Sequence, residues 1–259
     1  MKKAYHPFDD VSITLEQYFA DFGGKHNGDD AQGRPRARCP VCKRSLRVNY
    51  EDSFKISDRQ WAHIGSKNNP YYCPLKADTG ERYTFLDATA QTKTAAGNNL
   101  RASFFEHWKF HLREMRKNLN RFIDIKEFIN IINTADKTHF WHTDGLREWQ
   151  IPYIFFVWQD YQPIVDYAGK TLRPEWFRFW FSENIQNFDQ ILKANNFPKI
   201  VRGSYKKPSR GLPKATDLID STDVQISSNF LNEPLAKEEH PFVIKKMHTA
   251  FHNEVPAPE

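Results

Sequence analysis

Three cysteines and a histidine, Cys39, Cys42, His63 and Cys73, are the residues of this chain whose types and spacing best suit a defined chemistry. Cys39 and Cys42 bracket a CPVC turn, His63 follows after twenty residues and Cys73 after nine more. Two cysteines separated by two residues can aim both sulfurs at one ion, and a distal pair then closes a tetrahedron around Zn2+. Three thiolates and a neutral imidazole leave such a site with a single negative charge, which Arg36, Arg38, Lys43 and Arg44 flank and offset. A reduced redox CxxC or inert buried thiols are the competing readings of the cysteine pair. Three cysteines with an open water position would be a catalytic alternative, but a negatively charged trithiolate site is a poor Lewis acid.

A second candidate chemistry is phosphate binding. Between Asp189 and Asp217 there is no acidic residue, while Arg202, Lys206, Lys207, Arg210 and Lys214 cluster around Tyr205. Cations neutralise phosphates and a tyrosine can stack on a base. Pro198, Gly203, Pro208, Gly211 and Pro213 in the same stretch predict a loop over residues 193–214. Trp176, Arg178 and Trp180 would form a stacking face if their strand were open, but aromatic residues on strands mostly fill cores. His107 and His111 lie four apart, and His139, His142 and Asp144 lie close together; incidental surface histidines and a packed turn are the simpler readings. Glycine-rich phosphate loops and GxSxG are absent, which disfavours classical nucleotide-hydrolysing enzymes and GxSxG-type serine nucleophiles.

The elements that must position these residues follow from pattern. Residues 12–22 read as an amphipathic helix capped by Ser12, and residues 103–119 as one long helix with Phe104, Trp108, Leu112, Met115 and Leu119 on its apolar face. Asp124 and Glu127 form a capping box that opens a further helix. IPYIFFVW, residues 151–158, is a continuous apolar run whose length predicts a buried strand, and residues 175–181 predict another. The expected fold class is α+β, with a small zinc-ribbon-like module ahead of an aromatic-rich domain of mixed helix and strand. The expected divisions are a helix and linker (1–35), the zinc module (36–80), the core domain (81–216) and an acidic, flexible tail (217–259).

The chain carries +5 overall, yet residues 217–259 hold eight acids against three lysines, so residues 1–216 carry +10. A basic body of this size suits a polyanion such as nucleic acid, DNA above all, or an acidic protein. No run of 18 apolar residues exists, and MKKAYHPFDD has no apolar stretch behind its lysines, so neither a membrane span nor a secretory signal is expected. A reducing, cytoplasmic setting follows, in which three cysteines serve as metal ligands and not as a disulfide framework.

CPVCKRSLRV and WAHIGSKNNPYYC resemble the N-terminal zinc-binding segment of CoiA-like competence proteins over about forty residues. The resemblance implies a role in handling DNA, since those proteins join this segment to a nuclease-like domain. Carried over residue by residue, it offers Glu106 and the helix histidines, then Asp136, then Gln159 and Asp160, as remnants of a Mg2+ site. The position expected to be a metal-binding glutamate is Val157. The expectation is therefore a non-enzymatic, zinc-containing nucleic-acid-binding or assembly component of a larger prokaryotic DNA-handling complex, in uptake, a mobile element or antiviral defence. A divergent nuclease and a protein–protein adaptor are the alternatives.

Overall fold

The structure is a computed structural model that describes residues 4–23, 33–49, 59–64, 73, 75, 83–87, 92–183, 185, 187–192, 197–208, 211–214, 217–235 and 237–256. The chain divides into two compact units. One comprises Met1–Arg82, Ser182–Asn184 and Pro208–Leu218, and the other Tyr83–Phe181, Ile185–Lys207 and Ile219–Glu259. Helices and small sheets occur together, as an α+β chain requires. No helix among the described residues is long and apolar enough to cross a membrane.

In the first unit β1 (Ala4–Tyr5) pairs antiparallel with β2 (Ser12–Ile13), and α1 (Leu15–Phe22) follows at once. Thr14, not Ser12, caps α1: its hydroxyl accepts from the Gln17 amide and the Gln17 side chain accepts from the Thr14 amide. Two otherwise orphaned amides are satisfied by that exchange. β3 (Leu46–Asn49) and β4 (Gln60–His63) form an antiparallel pair with Leu46 opposite His63. Tyr18 of α1 meets Trp61 of β4 edge-on at 4.8 Å, and Leu15, Leu46, Val48, Cys39 and Cys73 complete a small core.

The second unit opens with α2 (Ala95–Glu106), α3 (Trp108–Asn118), α4 (Ile125–Lys137) and α5 (Ile151–Trp158). The single helix expected over 103–119 is thus two helices, broken at His107. α2 begins earlier than the expected residue 103, within the polar stretch QTKTAAGNNL (residues 91–100). Thr94 caps it, and Gly97 is there because a Cβ would overlap the ring of His142. Asp124 and Glu127 cap α4 as expected. IPYIFFVW is a helix and not a strand, with Pro152 in its first turn. It packs between α3 and the main sheet, so residues on every side are buried and no periodicity survives to reveal its type.

β5 (Ile164–Val165) and β6 (Thr171–Arg173) form a short hairpin. β7 (Trp176–Phe181) precedes α6 (Phe188–Leu192), and β8 (Ile200–Tyr205) and β9 (Leu218–Asp223) complete a sheet of order β7-β8-β9. Every residue of β7 is buried, so Trp176, Arg178 and Trp180 are core and not a stacking face. The expected loop over 193–214 contains β8, in register with β7 from Trp176↔Tyr205 to Phe181↔Ile200. Gly203 looked like a loop residue, but a Cβ there would lie 2.7 Å from the Trp180 ring, so it marks close packing within a strand. The expected flexible tail is instead built from β9, a 3-10 turn at Phe230–Asn232 and α7 (Pro241–Ala250), which packs on α4.

Candidate metal centre

The CPVC turn closes a tight hairpin. Arg38 bridges to Ser45, and the Leu46 amide donates to the Ala37 carbonyl at 2.8 Å. Within it the Cys39 amide donates to the Arg44 carbonyl at 2.7 Å and the Lys43 amide to the Cys39 carbonyl at 2.9 Å. Lys43 adopts φ 57°, a left-handed conformation that costs a non-glycine residue roughly 1 kcal/mol. Its ammonium compensates by lying 3.9 Å over the Tyr5 ring and 3.2 Å from the Asp10 carboxylate. The Val41 amide donates to Cys39 Sγ at 3.4 Å, and the Arg44 amide donates to the Cys42 sulfur.

β4 ends where its last residue, His63, can meet this turn: His63 Nε2 lies 3.3 Å from Cys42 Sγ. Cys73 Sγ lies 3.7 Å from Cys39 Sγ. The four ligand atoms all fall within 4.8 Å of one another. Zinc–sulfur and zinc–nitrogen bonds set tetrahedral edges of about 3.8 Å between two sulfurs and about 3.6 Å between sulfur and nitrogen. The Cys39–Cys73 and Cys42–His63 separations are close to those edges. Cys39 and Cys73 are buried, so the ligands stand in the module's own core.

Electrostatics make the three thiols strongly interdependent. Hydrogen bonds from Cys39, Cys73 and His63 drive the Cys42 thiol far below the ordinary range. The charge this places at Cys42 pushes Cys39 up to about 12, and burial pushes Cys73 well above its usual value. Three sulfurs this close, two of them buried, do not ionise together unaided. A divalent cation reverses that penalty, because it favours every thiolate at once. Cys39, Cys42, His63 and Cys73 can therefore hold a metal ion, and among the described residues they are the one such group.

The expected nucleic-acid residues do not share one loop. Arg202 and Tyr205 are on β8, with Lys206 and Lys207 just after it in the second unit; Lys214 belongs to the first unit. Arg210 lies outside the described residues. Tyr205 is fully buried and cannot stack on a base, whereas Lys206, Lys207 and Lys214 are exposed. Arg202 donates to the Asn118 carbonyl at 3.0 Å and lies over Phe177.

The remnants of a Mg2+ site are not gathered either. Glu106 is exposed at the end of α2. Asp136 accepts two bonds from Arg101, at 2.8 and 3.0 Å, and one from the Trp141 indole. Asp160 accepts two from the buried Arg178, at 2.9 and 2.8 Å. Val157 and Gln159 stand at the end of a helix and not on the strand that motif requires.

His107 and His111 do share a partner, one the sequence gave no means of finding: Glu148, 2.9 and 3.1 Å from their ring nitrogens, with Ser103 donating to its other oxygen. His142 accepts from the Thr94 amide in a turn closed by buried Phe140 and Trp141. Comparison with protein-family models, curated proteins and solved structures gives no match to the chain.

Proposed function

We propose that the first unit is a zinc-stabilised module of zinc-ribbon-like layout in a non-enzymatic nucleic-acid-binding or assembly protein. The observation that carries this reading is the gathering of Cys39, Cys42, His63 and Cys73 to within 4.8 Å. Sulfur-rich tetrahedral donors select zinc among common divalent ions, and four protein ligands close the shell as in structural sites. The ion would add a tie among the CPVC hairpin, the end of β4 and Cys73, beyond the β3–β4 pairing and the small shared core.

The nucleic-acid part rests on charge: +10 over residues 1–216, and a CPVC segment flanked by Arg36, Arg44 and Arg47. The arginine clamps on Asp136 and Asp160 favour a binding role over a nuclease. The CoiA-like resemblance suggests a prokaryotic DNA-handling complex as the setting. The test is elemental analysis of the purified protein together with oligonucleotide binding across a salt series. One zinc per chain and an affinity falling steeply with salt are expected. Absence of zinc sinks the first claim, and binding indifferent to salt points to an adaptor; Mg2+-dependent cleavage would overturn the non-enzymatic role.

A further inference from the structure

The outer face of α3 is a row of cations. Lys109, Arg113, Arg116 and Lys117 follow a spacing of four, three and one, which sets them on one side of the helix over about 12 Å. That row is covered by the chain's own acids. Glu238 lies 2.8 Å from Lys109, Glu239 lies 2.6 Å from Arg116, and Glu233 lies 3.3 Å from Lys117 and 3.5 Å from Arg113. Arg113 also donates to the carbonyls of Phe230, Pro234 and Glu233 at 2.6, 2.8 and 3.2 Å.

What holds this segment down is a set of ion pairs together with the bonds from Arg113 to three of its carbonyls. Phe230 and Met247 are fully buried and anchor its two ends, but none of the described residues between them is buried. The Glu238 and Glu233 carboxylates are exposed, so their ion pairs are individually weak and screened by salt and this part of the segment opens at low cost while its anchors stay in place; the less exposed Glu239 is its firmest hold. Carboxylates also make the bonds to guanidinium and ammonium that phosphate oxygens make, with the same sign of charge.

We infer that the Lys109–Arg113–Arg116–Lys117 face of α3 is the phosphate-binding surface for nucleic acid, and that Glu233, Glu238 and Glu239 form a built-in competitor which a nucleic-acid backbone displaces. The inference rests on the nucleic-acid reading above and gives it a location. A polyanion can displace the segment because it presents several charges at once; a single small anion faces three tethered carboxylates and loses. Each carboxylate that leaves the face stands in for a counterion that would otherwise be released, so the native chain should show a muted salt dependence.

The test compares full-length wild type with E233Q/E238Q/E239Q, using fluorescence anisotropy of single-stranded and duplex oligonucleotides over a KCl series. The glutamine variant is expected to bind about tenfold tighter at roughly 0.1 M salt. Its slope of log affinity against log salt is expected to steepen by about two to three. Adding K109Q/R116Q/K117Q should abolish the gain. If wild type binds and the glutamine variant binds identically across the series, the inference falls and the nucleic-acid reading stands. If neither binds at low salt, both fall. Hydrogen–deuterium exchange of wild type supplies a readout free of substitutions: amides of 233–239 should exchange faster with oligonucleotide bound, and unchanged or slower exchange overturns the proposal.

Discussion

Replacing Cys39 or Cys73 by serine removes a candidate ligand and also leaves a hydroxyl in a small apolar core, since both are buried. Cys39→Ser is therefore expected to lose stoichiometric zinc and with it most of the folding free energy of the first unit, which elemental analysis and a thermal melt would register. His63→Ala leaves three sulfurs and an open position; zinc should remain but leave much faster in the presence of a chelator. A residue of the opposite kind is Gly203, whose hydrogen faces the Trp180 ring. Gly203→Ala should cost about 1–3 kcal/mol in a denaturant melt, through overpacking. The four candidate ligands were legible in sequence because CPVC is a local pattern with few alternative meanings. Gly203 was not, because a glycine that admits an indole and one that frees a loop are the same letter. Glu148 was invisible for another reason: it lies 41 and 37 residues from the histidines it serves.

Elements here are joined by buried charge as well as by aromatic packing. Arg178 of β7 is almost fully buried and held by Asp160 just beyond α5, and Arg173 of β6 is held by Glu127 of α4. Removing one partner of such a pair leaves an uncompensated charge in the core. Asp160→Asn should thus destabilise the second unit by about 3 kcal/mol or more, measurable by denaturant melt.

His111 is a second buried titratable group, stacked on Phe104 and facing Glu148, His107 and Glu114. Burial lowers its pKa from 6.5, outweighing the attraction of Glu148. The unfolded chain then takes up the proton first, so the stabilisation is complete above the ordinary histidine range and is lost as pH falls through it. For Glu148, burial opposes ionisation, but hydrogen bonds from His111, Ser103 and His107 outweigh it and hold the pKa below the carboxylate range, which adds loss in the same direction at lower pH. Melts of wild type should weaken between about pH 7 and 5, and those of His111→Gln should stay flatter. Helices with a clear apolar stripe or a capping box, such as α4, were readable from sequence; α5 was not, because seven consecutive buried residues carry no period.

For the molecule as a whole, the two units have separate means of cohesion. The second has a large aromatic interior around α5 and β7, whereas the first has a small core around Tyr18 and Trp61 and the candidate metal ligands. A strong chelator should therefore collapse the hydrogen-exchange protection of β3 and β4 and leave that of β7 and β8 in place; simultaneous loss in both would contradict this division. Of the seven tryptophans in the chain, Trp61 alone belongs to the first unit. Packed edge-on against Tyr18, two residues ahead of His63, it makes the module its own optical gauge. Phenylalanine substitution there should silence whatever change in emission accompanies titration with the cation, while the six remaining indoles supply an unvarying baseline.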